Sequence, residues 1–376
     1  YYQTFEVVKR LEKIKTATLA TPSKTRSALL RELIKRSLKS IESCDDSNGE
    51  LGSFIEECLT DLGKSLHEEG LPFDEKKRFL KENLDLLEKE QYGLEDGYSS
   101  LVLEIPSTME DFEFLISELK LRMKKPKEDY FEDTYEDMLL EAYKKGGYDQ
   151  EYLQGLEKQA KKDGAYFPLA SYWKEKGDLK KAIEIAEKGI TQQKEEWDGA
   201  ELFELLEEIY ETDNRQEDLL RVLTLHFKEA PSLKLYKKIK ELCEGLKKWN
   251  STQPLLIQAA RGEELINIYL YEQEYEKAFQ IVTKQGKRLS DRIRDKLGTV
   301  LMRENPQKAL IIYTSLVQEF IDLAKRDTYR IAALYAKKVK EVYIQLNQKR
   351  NWEKYLSMVK EQNKRRPALI EEFRRL

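Results

Sequence analysis

The residues of this 376-residue chain with which a reaction could be built are two histidines, three cysteines and one dense run of carboxylates. His67 closes an apolar helical stripe and His226 stands between Leu225 and Phe227, so each reads as a packed or capping imidazole rather than as the base of a nucleophile triad. Cys44, Cys58 and Cys243 form neither an even set nor a Cys-x-x-Cys pair, which argues against a disulfide framework and points to a reducing, cytoplasmic setting. Cys58 falls among Leu51, Phe54, Ile55, Leu59 and Leu62 at helical spacing and reads as a small buried hydrophobe. Glu128, Asp129, Glu132, Asp133, Glu136, Asp137 and Glu141 set carboxylates one helical turn apart, a spacing that can hold a divalent cation or pair an acid with a base. Without a histidine partner or a calcium-loop glycine at the right step, they read instead as a solvated helix face. A glycine-lysine phosphate loop and a Rossmann glycine fingerprint are both absent from the sequence. The expectation is therefore a non-enzymatic protein with no catalytic residue, metal or cofactor.

The elements around these residues read as helices. Charged residues make up 36% of the chain while Gly and Pro number only 17 and 9, which favours helices with broad solvated faces and an all-α fold. No apolar run reaches the roughly 20 residues needed to span a bilayer, so no membrane partner is expected. The chain opens at Tyr1 rather than Met, which fits a piece of a longer protein. Thr21-Pro22-Ser23 separates two opening helices, and Asp74 can cap a later one. Lys124-Lys-Pro-Lys127 marks the expected boundary between an N-terminal helical region, 1–126, and a hairpin region, 127–376.

Residues 164–190 are the clearest hairpin, two short helical patterns meeting at Gly177-Asp178, with Trp173 and Ala182 expected in its core. Trp173 to Ala182, Tyr210 to Leu219, Tyr269 to Ala278 and Val300 to Ala309 are each nine residues apart across a turn. Helical hairpins cannot bury their apolar faces alone, so these predict an α-solenoid. After Asn305-Pro306 the helical patterns lengthen, as a terminal cap of such an array would.

Net charge is −4, but residues 286–376 hold 22 Lys/Arg against 11 Asp/Glu, leaving 44 against 59 in the preceding 285. A basic end of this kind can meet nucleic acid, with Lys360, Lys364, Arg365, Arg366, Arg374 and Arg375 as the candidate phosphate contacts.

The nine-residue spacing, with Tyr166, Leu169, Ala170, Gly177, Ala182, Ala186 and Gly189, resembles a tetratricopeptide repeat. Leu219 and Leu223 depart from its small residues and imply wider packing in that unit. A more particular likeness covers most of the chain. Lys228-Glu-Ala-Pro-Ser-Leu-Lys-Leu-Tyr236, Tyr275-Glu-Lys-Ala-Phe279, Asn305-Pro-Gln-Lys-Ala-Leu-Ile-Ile-Tyr313, Asn351-Trp-Glu-Lys-Tyr-Leu356 and Lys364-Arg-Arg-Pro-Ala-Leu-Ile-Glu-Glu-Phe373 resemble the helical region of microbial SWIM zinc-finger proteins. The resemblance implies a Cys-x-Cys and Cys-x-His zinc module ahead of the helical region, serving nucleic-acid or protein binding. None of the three cysteines here has that spacing, so no zinc role passes to any residue of this chain.

In tetratricopeptide arrays the inner groove is lined by first-helix residues off the packing stripe. The resemblance places Phe167, Ser171 and Lys174, then Glu204, Glu208 and Glu211, then Glu263, Asn267 and Tyr271 on that surface. Glu204, Glu208 and Glu211 stand at i, i+4 and i+7 and form one acidic stripe, to which a basic segment of a protein partner can dock. The expected function is a helical-repeat scaffold binding protein through an acidic groove, with nucleic-acid association through the basic end as the alternative.

Overall fold

The computed structural model describes the chain except for Tyr1, residues 42–45, 90–91, 125–128 and 193–196, Arg375, and the side chains of 2–5, 129–132 and 197–198. Among the described residues the fold is all-α, with twenty-one α-helices, one 3-10 turn and no strand. The chain divides into two compact units, Tyr1–Glu195 and Glu196–Leu376.

The first unit contains α1 (Tyr2–Leu19), α2 (Ser23–Ile41), α3 (Glu50–Glu69), α4 (Phe73–Leu87), α5 (Glu95–Glu104), α6 (Met109–Met123), α7 (Asp129–Gly146), α8 (Asp149–Lys162), α9 (Tyr166–Glu175) and α10 (Leu179–Gln192). Its centre is α3, which packs against α1, α2 and α5. The stripe that includes Phe54, Ile55, Cys58, Leu59, Leu62 and Leu66 is buried, as its helical spacing predicts. Asp46 starts this helix by accepting from the backbone N–H groups of Leu51 at 2.9 Å and Gly52 at 2.8 Å. Helices α3 and α5 approach through a glycine on each. A Cβ on Gly63 would lie 2.8 Å from Glu104 Cβ, and one on Gly97 would lie 2.9 Å from Glu56 Cα.

Two buried polar knots tie α4 to α6. Thr108 and Asp111 form a capping box at the start of α6, and the buried Asp111 also accepts from Lys76 Nζ of α4 at 2.6 Å. Near the other end of α6, Arg122 reaches Asp85 at 2.6 Å, Glu88 at 2.9 Å and Glu118 at 3.2 Å. Tyr135 of α7 donates to Glu88 at 2.8 Å. The boundary expected at 124–127 falls mostly within residues 125–128, outside the described part. On its two sides, α6 and α7 pack together, and Tyr135, Met138 and Ala142 share one core with Leu115 and Leu119.

The second unit contains α11 (Trp197–Thr212), α12 (Gln216–Glu229), α13 (Leu233–Leu246), α14 (Trp249–Ala259), α15 (Gly262–Tyr271), α16 (Tyr275–Gln285), α17 (Asp291–Glu304), α18 (Pro306–Asp322), α19 (Arg326–Gln345), α20 (Lys349–Gln362) and α21 (Pro367–Phe373). From α11 to α19 most helices pack on the next in sequence, and α12 on α14, α13 on α15 and α15 on α17 as well. That succession of near neighbours is solenoid-like.

One turn recurs through both units. At Tyr143, Trp173, Tyr210, Cys243, Tyr269 and Tyr343, the carbonyl accepts from the backbone N–H five residues on, at 2.8–2.9 Å. The residue before each of those donors has positive φ: Gly147, Gly177, Asn214, Lys247, Gln273 and Asn347. This is the Schellman closure, which satisfies carbonyls at a helix end and turns the chain. It explains the nine-residue spacing at Trp173, Tyr210 and Tyr269, and extends it to Tyr143, Cys243 and Tyr343. Val300 and Ala309 share the spacing without the turn: there Asn305, at φ −154°, caps α18 by accepting from the Lys308 N–H at 3.3 Å, and Pro306 begins the helix.

Trp173, expected in the core, is only half-buried. Its ring meets Tyr172 edge-on at 5.3 Å and lies under the Lys181 ammonium at 3.8 Å, so it is covered by a flexible cation rather than enclosed. Ala182 is fully buried as expected.

Candidate functional site: the acidic face of α11

Helix α11 carries six carboxylates, Asp198, Glu201, Glu204, Glu207, Glu208 and Glu211, and no basic residue. Leu202, Phe203, Leu205, Leu206, Ile209 and Tyr210 are all buried, so its apolar face is wide and the acids are confined to the remaining arc. Glu201, Glu204, Glu208 and Glu211 are exposed. Their steps of three, four and three residues run about 15 Å along one side of the helix. The last two lie near the C-terminal end, where the helix dipole disfavours negative charge.

One carboxylate of the run points inward. Glu207 Oε1 lies 2.9 Å from His226 Nδ1 of α12, and Oε2 accepts from Lys238 Nζ of α13 at 2.9 Å. Lys238 also meets Glu211 at 2.6 Å. The His226 ring stacks on Phe203, centroids 4.7 Å apart and planes 3° from parallel. Burial pushes the Glu207 carboxyl up, but the bonds from His226 and Lys238 outweigh it and hold the group below its ordinary range. Desolvation pulls Lys238 down, and its bonds to Glu211 and Glu207 leave it above its ordinary value. This knot fixes three helices beneath the acidic face. Sequence reasoning passed over Glu207, although its place four residues after Phe203 and three before Tyr210 sets it on the buried face.

The other expected groove residues have varied surroundings. Phe167, Ser171 and Lys174 lie on α9 of the first unit and are half-buried. Glu263 accepts from the Ser290 N–H at 2.7 Å, and Asn267 accepts from Lys296 Nζ at 2.7 Å, so both are tied toward α17. Tyr271 is exposed, with its ring edge-on to Tyr236 at 6.2 Å and Lys237 4.8 Å from its centroid. Of the three groups, only the α11 acids stand together as one surface of like charge.

At the basic end, Lys360 is half-buried, and Lys364 is exposed and bonded to Glu361 at 2.6 Å. Arg365 and Arg374 are exposed, and neither has a carboxylate partner among the described residues. Arg366 donates to the Ile321 carbonyl at 2.9 Å, joining the turn before α21 to α18. Arg375 lies outside the described residues.

The remaining reactive types are engaged structurally. His67 Nδ1 lies 3.2 Å from the carbonyls of Glu104 and Pro106. Burial pushes the Cys58 thiol up to about 12 and raises that of Cys243, leaving both as packed thiols; Cys44 lies outside the described residues. In the acidic run of α7, Glu136 accepts from Lys158 at 2.5 Å, Asp133 from Lys162 at 3.2 Å and Asp137 from Gln159 at 2.9 Å. The side chains of Glu128, Asp129 and Glu132 are outside the described part. No group of three or more His, Cys, Asp or Glu among the described residues is arranged to hold a metal ion. No described helix is long and apolar enough to cross a membrane.

Fold and site together define an all-α protein of successive helical hairpins with one strongly acidic helix face. No protein-family model matches the chain, and no curated protein matches it.

Proposed function

We propose that this chain is a non-enzymatic, tetratricopeptide-like scaffold whose α11 face docks a basic segment of a protein partner, and that it is the helical region of a SWIM zinc-finger family protein. The observation that carries the docking reading is the row of exposed Glu201, Glu204, Glu208 and Glu211 on a helix without a single cation. Lys238 offsets that charge at Glu211 and the buried Glu207, and Glu208 is also engaged. Glu201 and Glu204 have no ion-pair partner among the described residues. A lysine- or arginine-rich segment laid along the face relieves both the mutual repulsion and the unfavourable dipole. Its attraction adds to on-rate and specificity and is screened by salt. In the test, partners are captured from lysate on wild-type protein and on a Glu204→Lys/Glu208→Lys/Glu211→Lys variant of matched helicity. Loss of the basic partners supports the reading, and an unchanged captured set removes it.

A second reading rests on Arg365 and Arg374, both exposed without a carboxylate partner among the described residues. Together with Lys360 and Lys364 they offer phosphate contacts to nucleic acid. Binding through several phosphates falls steeply with salt. A salt titration of labelled single- and double-stranded DNA tests it, and absence of binding at low salt ends it.

A further inference from the structure

In the first unit, α2, α3, α4 and α5 enclose an open apolar groove of about 360 Å³, floored in part by Ile34, Leu38, Leu59, Phe79, Leu86 and Tyr98. Leu86 is 48% exposed there, an apolar side chain with unfilled space beside it. One wall is basic. Arg31, Lys35 and Lys39 line the groove at successive turns of α2, a stripe about 12 Å long. The Arg31 guanidinium is held 4.6 Å from the Phe79 ring centroid, and neither Arg31 nor Lys35 has a carboxylate partner among the described residues. The only acid on α2, Glu32, is bonded to Arg36 at 2.7 Å, and the one acid among the lining residues, Glu82 of α4, is exposed and pairs with Arg78 of its own helix at 3.9 Å, leaving the lining with three cations against one carboxylate. Within the floor, Asn83 spends its amide nitrogen on the Phe79 carbonyl at 2.8 Å and keeps its side-chain oxygen as an unused acceptor.

We propose that this groove docks an acidic amphipathic helix of a protein partner, whose apolar side chains at i, i+3 or i+4, and i+7 enter the floor while carboxylates beside them meet Arg31 and Lys35. Two observations select that occupant. The cations repeat at the helical period, so carboxylates four residues apart on a second helix can meet them in register. The walls are helices, which offer no open backbone edge for strand addition, so the groove suits a helix laid in by its apolar face. The sign of charge is opposite to that of the α11 face, so the two surfaces take partners of different chemistry.

The test is selection from a displayed library of amphipathic helices with fixed Leu positions and the flanking positions randomised over Asp, Glu, Lys, Arg, Gln and Ser. Helices selected on the wild-type chain should be enriched in Asp and Glu beside the Leu stripe. They should lose at least tenfold in affinity for both an Arg31→Glu/Lys35→Glu variant and a Leu86→Glu variant. All three substituted positions are exposed, and circular dichroism checks that the variants keep their helices. Selected helices without acidic enrichment, or indifferent to these variants, overturn the proposal. So does a fluorescent sixteen-carbon fatty acid that fills the groove when no helix is selected, since that outcome assigns the floor to a lipid.

Discussion

At the scale of single residues, Glu207 is the most informative side chain in the second unit. Its carboxylate is buried between His226 and Lys238, so removing it leaves His226, stacked on the Phe203 ring, without its side-chain partner and Lys238 with Glu211 alone. Glu207→Ala should lower stability by about 2 kcal/mol, within the range for orphaning hydrogen-bonded, partly buried polar groups. Denaturant unfolding measures it. The pH dependence has a definite sign. Because the folded-state pKa of Glu207 is held below its ordinary value, its contribution is complete above the unfolded carboxylate pKa of about 4.3 and is lost as pH falls through the folded value. A Glu207→Gln variant should therefore lose less stability than wild type between about pH 5 and pH 3. Parallel urea midpoints across that range would show the contribution lies elsewhere. The raised pKa of Lys238 acts at the other end, present below its ordinary value and lost as pH rises through the folded one.

At the scale of elements, the Schellman turns and the glycine contacts decide how helices meet. Gln273 and Lys247 hold left-handed backbone at φ 60° and 57°, where the other hairpins use glycine or asparagine. Gln273→Gly should raise stability by about 0.5–1 kcal/mol, the relief of left-handed strain less the added freedom of the unfolded chain. An unchanged or lowered urea midpoint contradicts the turn assignment. Between α3 and α5 the geometry runs the other way. Gly97→Val should cost at least about 2 kcal/mol, because the new side chain would press on Glu56 backbone. A fully stable variant would show that the two helices can separate at no cost.

Much of this level was legible in the sequence. The apolar stripe of α3 and the turn at Gly177 follow from spacing and glycine alone. The left-handed turn at Lys247 was not, since nothing in a lysine announces positive φ, whereas Asn347 is a residue type that takes it readily. Trp173 misled because nine-residue spacing identifies the turn and not how deeply the aromatic sits. Val300 misled because the same spacing arises from an Asn-Pro helix start.

At the scale of the whole molecule, charge is distributed by surface more than by chain half. The basic end expected from composition includes Arg366, which is used to join helices, and Lys364, which is bonded to a neighbouring glutamate. The acidic face of α11 was legible as a stripe at i, i+4 and i+7, and the structure adds Glu201 to it. The inward turn of Glu207 and its cation on α13 were hidden, because that partner lies on a separate helix and its pairing is set by packing. Members of both carboxylate clusters are bonded: Glu207 to His226 and Lys238, and Glu136, Asp137 and Asp133 of α7 to Lys158, Gln159 and Lys162.

The central claim is that the exposed carboxylates of α11 receive a basic segment. The most direct measurement is a fluorescence titration of a labelled Lys/Arg-rich peptide against wild type and Glu204→Gln/Glu208→Gln, at about 50 mM and 500 mM salt, spanning a Debye length well above and well below the spacing of the charges. The prediction is binding to wild type at low salt, weakened at least tenfold by high salt and at least fivefold by the two neutral substitutions. Binding of equal strength to both proteins, or none at low salt, would contradict it.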